Sequence, residues 1–354
     1  MKVFKAVQHS GHPRLGLDIL KAVPKIELHA HLSCSISRDS FKRLLKRKGM
    51  DDDLSFIDRA SSNEEVFKDI FPKLVQAIEN KSDLKYVTKE VLSSFEDDGV
   101  RYAEFRSTAK KLKDHSSEFD YVENVLEVID GWKGSETTQK NGTDPMGVRF
   151  ILSLNRAYPQ EHFFEVIKQV KRDPKWAQYI TGLDYSGDPF MRDVYDYRKC
   201  FDLAREAGLR LTIHTSELPV HANETPRILS LNPERLGHFI YYTEEEFHYV
   251  KQNGIHIEAC PTSNLITSPV ISMPAHPISE MYTRGLNLSI CTDDQLLFNK
   301  TLSEEIEMVT DAFGYGMDFV EKICRDALRS AFINDNKLRN KLKNEMDQFF
   351  SKHK

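Results

Sequence analysis

The stretch 24–32 carries two histidines one residue apart, in the run Pro-Lys-Ile-Glu-Leu-His-Ala-His-Leu. Apolar and polar residues alternate along it, which is typical of a β-strand. Because residues two apart on a strand point to the same face, the side chains of His29 and His31 leave the strand together and can reach one metal ion. Two hydrogen-bonded core histidines would produce the same pattern, so the metal interpretation depends on further ligands elsewhere in the chain.

Residues with the chemistry of ligands or acid–base groups do follow later, namely His214, Glu217, His238, Asp293 and Asp294. Each has a structural explanation when taken alone. A strand-end histidine can pack in a core, a histidine after a glycine can close a turn, paired aspartates often cap a helix, and a lone glutamate can lie in a solvated loop. Three imidazoles and a carboxylate held together would suit Zn²⁺, with Fe²⁺ as the alternative. The other nine histidines follow no such pattern, and we expect them on the surface or in packing.

Eight short strand patterns alternate with helical patterns along the chain. The strands are predicted over 24–32, 101–106, 148–154, 180–185, 210–214, 235–238, 255–260 and 286–292, and the helices over 37–49, 63–79, 83–97, 121–132, 160–171, 194–207, 303–332 with a break near 314–316, and 336–350. Such alternation implies a parallel sheet with helical crossovers, and eight units most simply close into a (β/α)₈ TIM barrel. The predicted fold class is therefore α/β, with extra helices over the barrel mouth after the first strand and at the C-terminus.

The candidate residues all stand at the carboxyl end of a predicted strand or directly after it. Active sites of TIM barrels lie on this face of the barrel. The first and eighth strands are neighbours in a closed barrel, and the fifth lies across from them. The coincidence of these residues on one rim therefore outweighs their separate structural explanations.

The composition describes an ordinary globular chain of 354 residues, 40% hydrophobic, with a formal net charge of -5. No linker divides it, so we predict an N-terminal arm over 1–20 and a single catalytic domain over 21–354. The absence of a basic block argues against nucleic acid as a partner, and residues 1–20 resemble neither a secretory signal nor a membrane helix. Five widely spaced cysteines without a CxxC motif favour a reducing compartment. We expect a cytoplasmic monomer that binds a small molecule and no membrane.

Six motifs, taken together, resemble the adenosine/AMP deaminase family. They are the run at 24–32, Asp-Tyr-Ser-Gly-Asp at 184–188, His-Thr-Ser-Glu at 214–217, Arg-Leu-Gly-His at 235–238, Cys-Pro-Thr-Ser-Asn at 260–264 and Cys-Thr-Asp-Asp at 291–294. They occur in the order of the family and extend over nearly the whole chain. The resemblance implies a barrel with one Zn²⁺ per chain that hydrolyses position 6 of a purine.

The resemblance also implies a role for each residue. The implied metal ligands are His29, His31, His214 and Asp293; the implied catalytic residues are Glu217, His238 and Asp293; the implied substrate-binding residues are His31, Ser33, Arg106, Ser107, Thr108, Asn155, Gly187 and Asp294. In this scheme Glu217 protonates purine N1, His238 orients the attacking water, Asp294 contacts N7 and the backbone N–H of Gly187 contacts N3. Glu217 must then be protonated near neutral pH, so burial or neighbouring carboxylates must raise its pKa.

Departures from the adenosine deaminase pattern point to a nucleotide substrate. Ser33 stands where adenosine deaminases usually carry an aspartate that meets the ribose 5′ end. Loss of that charge removes a repulsion against a 5′-phosphate of roughly 1–4 kcal/mol. Arg106, Ser107 and Thr108 follow the second strand and are predicted as a phosphate cradle. The alternative for Arg106 is an internal ion pair, for example with Glu104 or Glu27.

These features resemble the adenosine deaminase-like branch of the family, which acts on N6-methyl-AMP. The leading hypothesis is zinc-dependent hydrolysis of N6-methyl-AMP, or another N6-substituted AMP, to IMP and an amine. The alternative is deamination of adenosine to inosine. A two-metal amidohydrolase is disfavoured because the fourth strand offers Asp184 and no bridging lysine. A non-enzymatic relative is disfavoured because none of the core groups is missing.

Overall fold

The computed structural model describes residues 14–58, 65–188 and 190–353 and contains a sheet of eight parallel strands hydrogen-bonded in chain order. The strands are β1 Lys25–His31, β2 Val100–Ser107, β3 Gly147–Asn155, β4 Ile180–Ser186, β5 Arg210–Thr215, β6 Arg235–His238, β7 His256–Ala259 and β8 Leu288–Ile290. The sheet closes just beyond β8, where the Asp293 N–H donates to the His29 carbonyl at 2.8 Å and the His31 N–H donates to the Asp293 carbonyl at 2.9 Å. The predicted TIM barrel is confirmed.

Helices connect the strands and cover the outside of the barrel. They are Leu17–Ala22, Arg38–Arg47, Ser55–Asp58, Phe71–Gln76, Lys81–Asp97, Glu118–Asp130, Glu136–Asn141, Phe164–Arg172, Pro174–Tyr179, Arg198–Glu206, Thr225–Leu229, Glu244–Gln252, Pro261–Thr267, Ile278–Thr283, Gln295–Phe298, Leu302–Phe313, Met317–Ser330 and Asn336–Lys352. The break expected near 314–316 is present, because Leu302–Phe313 ends at Gly314, whose φ of 67° forms a left-handed C-cap. The short helices that follow β5, β7 and β8 have no counterpart in the sequence prediction, since four to seven residues carry little periodicity.

The interior of the barrel below its mouth is charged. Arg106 lies 2.8 Å from Glu258 and 3.3 Å from Asp184, while Arg235 lies 2.6 Å from Glu258 and 2.7 Å from Glu104, and all five side chains are fully buried. Buried charges are tolerated when each is paired and hydrogen-bonded. This layer therefore forms a rigid polar floor under the residues at the strand ends.

Extra helices lie over the mouth after β1, as predicted. A π-helical turn at Val66–Ile70 leads into Phe71–Gln76, and Phe71 and Val75 line the cavity beneath. Residues 63–64 of the predicted helix 63–79 lie outside the described residues. Residues 1–13 of the predicted arm also lie outside them, whereas Leu20 is fully buried in the helix that ends the arm. None of the helices in the described part of the chain is long and apolar enough to span a membrane.

Candidate active site

Three histidines and one aspartate meet at the carboxyl-terminal mouth of the barrel. His29 and His31 stand at the end of β1, His214 at the end of β5, and Asp293 just after β8. Asp293 Oδ1 lies 3.3 Å from the Nε2 atoms of both His29 and His31, and His31 Nε2 lies 3.1 Å from His214 Nε2. One donor atom from each residue lies within 4.8 Å of the others, so the four form a group that could hold one metal ion.

Two of these histidines are oriented by buried carboxylates behind them. His29 Nδ1 lies 2.7 Å from Glu258 Oε2, and His214 Nδ1 lies 2.9 Å from Asp184 Oδ1. Because a carboxylate accepts a hydrogen bond, each ring carries its proton on Nδ1 and turns the lone pair of Nε2 toward the centre of the group. His29 Nε2 is buried and, among the described residues, has no hydrogen-bond partner. An unpaired imidazole nitrogen aimed at other ligand atoms is what a bound Zn²⁺ would satisfy.

Burial lowers the pKa of His214 to about 4, although Asp184 acts in the opposite direction. The His214 ring is therefore neutral near pH 7, which is the form that binds a metal.

The backbone is strained around this mouth. Ser216, His238, Phe239 and Asp293 have φ values of 49°, 63°, 51° and 60°, in the left-handed region that non-glycine residues rarely adopt. Such conformations persist only where the surrounding structure enforces them, and they concentrate at functional sites. Two of the four, His238 and Asp293, are among the residues predicted to do chemistry.

Gly237 makes room for one of the ligands. A Cβ atom added there would lie 2.8 Å from His29 Cε1, closer than non-bonded carbons approach. The glycine in the Arg-Leu-Gly-His motif therefore lets β6 pass close behind the His29 ring.

Glu217 and His238 face each other beside the four ligands. Glu217 Oε1 accepts a hydrogen bond of 2.8 Å from the Thr267 hydroxyl, and Oε2 lies 3.8 Å from His238 Nε2. Burial, together with the charge of Asp293, raises the pKa of Glu217. Burial also lowers the pKa of His238 to about 3. The pair thus combines a carboxyl group that tends to keep its proton with a neutral imidazole. Only the raised pKa of Glu217 was expected from the sequence.

Asp294 and Gly187 border the same space. Burial raises the pKa of Asp294 well above its ordinary value, and the nearby charges of Asp293 and Glu217 act in the same direction. Asp294 Oδ1 is buried and lacks a hydrogen-bond partner among the described residues. Gly187 has a φ of 100°, and a Cβ atom there would lie 2.7 Å from Asn155 Oδ1. This crowded, left-handed turn requires glycine.

A cavity of about 510 Å³ opens above these groups. On the side of β1 and β2 the wall of the cavity is formed by the hydroxyl groups of Ser33 and Ser107. The Tyr121 hydroxyl contacts both, at 2.7 Å from Ser107 Oγ and 3.3 Å from Ser33 Oγ. Thr108 and Lys110 line the same cavity. Burial lowers the pKa of Lys110 to about 8, and no hydrogen bond or ion pair of its ammonium group is found among the described residues. The wall thus offers several neutral donors and the ammonium group of Lys110.

Arg106 does not join this wall through its charged group. Its guanidinium is fully buried, pairs with Asp184 and Glu258, and donates to the Leu28 carbonyl at 2.6 Å. The geometry favours the internal ion pair over the phosphate contact expected from the sequence. The physical reason is the direction of the side chain: on β2 the Arg106 side chain points into the barrel interior, where carboxylates surround it.

Several residues that shape the site were not assigned a site role from the sequence. Asp184 lies inside a recognised motif, yet its contact with His214 depends on the pairing of β4 with β5. Glu258 is a charged residue between the apolar Ile257 and Ala259, and this interruption is a signal that could have marked it. Lys110 follows the Ser-Thr pair after β2, but a single lysine in a loop carries no distinguishing signal.

The chain is an α/β barrel with a group that could hold a metal ion and an acid at the carboxyl ends of its strands, the face on which active sites of such barrels lie. The family model described as adenosine deaminase matches residues 24–349. This chain belongs to the adenosine deaminase family.

Relatives within the family are similar over most of their length. The chain is 31% identical over 325 residues to the zebrafish (Danio rerio) N6-methyl-AMP deaminase, covering 88% of this chain and 91% of the relative. It is 33% identical over 326 residues to N6-methyl-AMP deaminase-L of Xenopus laevis, covering 90% and 92%. Among solved structures, Arabidopsis ADAL in complex with GMP superposes with a TM-score of 0.82 at 26% identity, covering 94% of this chain and 98% of that one.

Proposed function

We propose that this chain hydrolyses the substituent at C6 of a purine nucleotide, with N6-methyl-AMP as substrate and IMP and methylamine as products. One observation carries the proposal. The group formed by His29, His31, His214 and Asp293 lies beside Glu217, a carboxyl group with a raised pKa, at the base of a single cavity. The names of the zebrafish and Xenopus relatives and the nucleotide bound to the Arabidopsis protein support a nucleotide substrate.

The four ligands fit one Zn²⁺ per chain. Three imidazoles and one carboxylate are typical zinc donors, and the carboxylates behind His29 and His214 set the tautomer that binds metal. When bound, the ion would supply Lewis-acid activation of the attacking water.

The chain's own residues act on the purine ring. Glu217 delivers a proton to N1, which makes C6 electrophilic, and His238 holds the attacking oxygen in the space between the two side chains. Water adds to C6, the C6–N6 bond breaks, and the amine leaves with one of the two protons of the water. The other proton restores Glu217, while N1 keeps its proton in IMP. The ring nitrogens N7 and N3 are acceptors, so they require donors: Asp294, kept protonated by its raised pKa, serves N7, and the Gly187 N–H serves N3.

The hydroxyl wall is proposed to hold the 5′-phosphate. Ser33, Ser107 and Thr108 offer hydroxyl donors, and Lys110 offers the positive charge that was expected from Arg106. A partly buried ammonium without a partner gains more from an anion than an exposed one does. Asn155, at the end of β3, also lines the cavity and accepts a hydrogen bond of 2.8 Å from the Ala157 N–H, which stabilises the loop after β3.

A product screen tests the proposal. The purified protein, assayed for its metal content, is given AMP, N6-methyl-AMP, adenosine and N6-methyladenosine, and the formation of IMP or inosine is measured. Because each charge-assisted hydrogen bond contributes roughly 1.5–3 kcal/mol, we expect kcat/KM for N6-methyl-AMP to exceed that for N6-methyladenosine by at least about tenfold. Faster turnover of adenosine than of any monophosphate would establish the alternative, an adenosine deaminase. No turnover of any of the four would refute the proposed function.

A further inference from the structure

Three buried side chains form a hydrogen-bonded line that ends at His238. The line begins at His276, continues through Asn264 on the helix after β7, and reaches His238 at the end of β6. His276 Nε2 lies 3.1 Å from Asn264 Oδ1, and Asn264 Nδ2 lies 3.0 Å from His238 Nδ1. The exposed fractions of His276, Asn264 and His238 are 3%, 0% and 2%, so the polar atoms on this line depend on one another rather than on bulk water.

The direction of every hydrogen bond on this line is set at its far end. The backbone N–H of Ile278 lies 3.2 Å from His276 Nδ1, and a backbone N–H can only donate. His276 Nδ1 is therefore an acceptor. Burial lowers the pKa of His276 to about 3, so the ring is neutral and carries its one proton on Nε2.

The remaining steps follow from the donor and acceptor groups of each side chain. His276 Nε2–H donates to the Asn264 carbonyl oxygen, which turns the Asn264 amide NH₂ toward His238. That amide donates to His238 Nδ1, which must then hold a lone pair. A neutral His238 consequently carries its proton on Nε2.

The protonated nitrogen of His238 faces the reaction space. His238 Nε2 lies 3.8 Å from Glu217 Oε2 and 3.9 Å from Asp293 Oδ2. Both distances are too long for a hydrogen bond, and all three residues line the cavity, so an oxygen atom in the cavity can approach His238 Nε2.

We infer that Asn264 and His276 are positioning residues that hold His238 as a hydrogen-bond donor through Nε2, so that His238 binds the attacking oxygen and does not remove its proton. The inference rests on the proposed function for the identity of that oxygen. In the neutral ring the Nε2 lone pair that a base needs is replaced by an N–H bond. The Asn264 amide cannot take up a proton from Nδ1, so the line cannot relay protons away from the site.

Nuclear magnetic resonance of the full-length protein labelled with ¹⁵N-histidine tests the tautomer directly, without substrate. Long-range proton–nitrogen correlations distinguish a protonated from an unprotonated ring nitrogen. We expect His238 to be protonated on Nε2 and unprotonated on Nδ1. The reverse assignment in the unmodified protein would overturn the inference even if no variant folds.

Asn264→Asp replaces the donor facing His238 with an acceptor. We expect this variant to place a proton on His238 Nδ1 and to lower kcat about 10²–10³-fold, the loss seen when a donor to a reacting oxygen is removed, while KM stays within about threefold.

His276→Gln retains a donor for Asn264 Oδ1 and should recover most of the activity that His276→Leu loses. Equal losses in these two His276 variants would show that His276 acts only by filling space.

His256→Gln is the matched control. His256 is also buried, and its Nε2 lies 3.0 Å from Ser289 Oγ, but it stands at the amino end of β7, away from the mouth. Its replacement should change neither the His238 signals nor kcat. The tautomer assignment and the proposed function are tested separately. If His238 is protonated on Nε2 but the protein turns over no purine, the proposed function is refuted and the tautomer assignment stands.

Discussion

Two consecutive carboxyl groups at the mouth are driven toward opposite protonation states. Burial disfavours the charge of Asp293, but the imidazole rings of His29 and His31 beside it outweigh this effect and hold its pKa well below the usual range. Asp294 is equally buried and faces Asp293 and Glu217, so its pKa lies well above the usual range. Carboxyl groups whose environments separate their pKa values take different roles, one as an anion and the other as an acid. This separation is what the proposed roles require, with Asp293 as an anionic metal ligand and Asp294 as a hydrogen-bond donor.

Glu217→Gln should nearly abolish turnover and leave the metal in place. Glutamine can still accept the hydrogen bond from Thr267 but has no proton to give to purine N1. The expected fall in kcat is about 10²–10⁴-fold, the usual contribution of a general acid. The measurements are steady-state kinetics and metal content by mass spectrometry. Thr267→Val, which removes only the neighbour of Glu217, should cost far less. A Gln variant that retains more than a tenth of the activity would remove Glu217 from the acid role.

Lys110→Met should impair nucleotide substrates selectively. Lys110 lines the cavity together with Ser107 and Thr108, and methionine keeps the length of the side chain without the charge. Loss of a charge-assisted contact of roughly 1.5–3 kcal/mol corresponds to a fall of about 10–100-fold in kcat/KM for N6-methyl-AMP. The rate with N6-methyladenosine should change little.

The neighbouring Lys111→Met provides the control for Lys110, because Lys111 is exposed and does not line the cavity. Equal losses on nucleotide and nucleoside with Lys110→Met would show that Lys110 stabilises the loop rather than the phosphate.

At the scale of the strands, Glu258 on β7 joins four other strands. Its carboxylate receives His29 Nδ1 from β1 and Arg106 from β2 on one oxygen, and Thr212 from β5 and Arg235 from β6 on the other. The same side chain thus links strands across the interior of the barrel and sets the tautomer of His29, a proposed metal ligand. Positioning of the metal group and stability of the barrel therefore depend on one residue.

Glu258→Gln should weaken both properties together. The neutral amide removes the negative charge that pairs with the buried guanidinium groups of Arg106 and Arg235. Breaking a buried ion pair typically costs about 3–5 kcal/mol in the free energy of unfolding. Loss of the carboxylate behind His29 should lower zinc affinity about 10–100-fold. Denaturant unfolding and competition with a zinc chelator measure the two effects.

Glu345→Gln is the control for Glu258, since Glu345 pairs with Arg101 at a partly exposed site and should cost under about 1 kcal/mol. Unchanged zinc affinity in Glu258→Gln would show that His29 needs no carboxylate behind it.

At the scale of the whole chain, alternating patterns were enough to predict the barrel. The period-two pattern of 24–32 placed His29 and His31 on one strand, and the order of the strands brought His214 and Asp293 to the same rim. What the sequence could not predict depends on contacts between distant segments. The direction of the Arg106 side chain and the line from His276 to His238 both depend on partners that no local pattern specifies.

A buried carboxyl group on one outer helix also contacts the short helix that carries two residues of the site. Glu305 on the helix Leu302–Phe313 accepts a hydrogen bond of 3.1 Å from the backbone N–H of Thr262, at the start of the short helix that carries Asn264 and Thr267. Burial raises the pKa of Glu305 from its ordinary value of 4.5 to about 8. The carboxyl group is therefore protonated in the folded chain at neutral pH, although the unfolded chain would release that proton.

This difference predicts a loss of stability as the pH rises. Between pH 4.5 and about 8 the unfolded chain binds fewer protons at Glu305 than the folded chain does, so unfolding becomes easier with increasing pH. The contribution is complete below pH 4.5 and is lost as the pH passes through the folded pKa, at up to about 1.4 kcal/mol per pH unit.

Glu305→Gln keeps an acceptor for Thr262 and cannot ionise. Denaturant unfolding from pH 6 to 9 should show the Gln variant gaining stability relative to the unmodified protein as the pH rises. Glu304→Gln, at the neighbouring position, controls for the loss of one negative charge. A stability difference between the Glu305 variant and the unmodified protein that is the same at pH 6 and pH 9 would mean that Glu305 is ionised in the fold and that the helix is held by a charged contact instead.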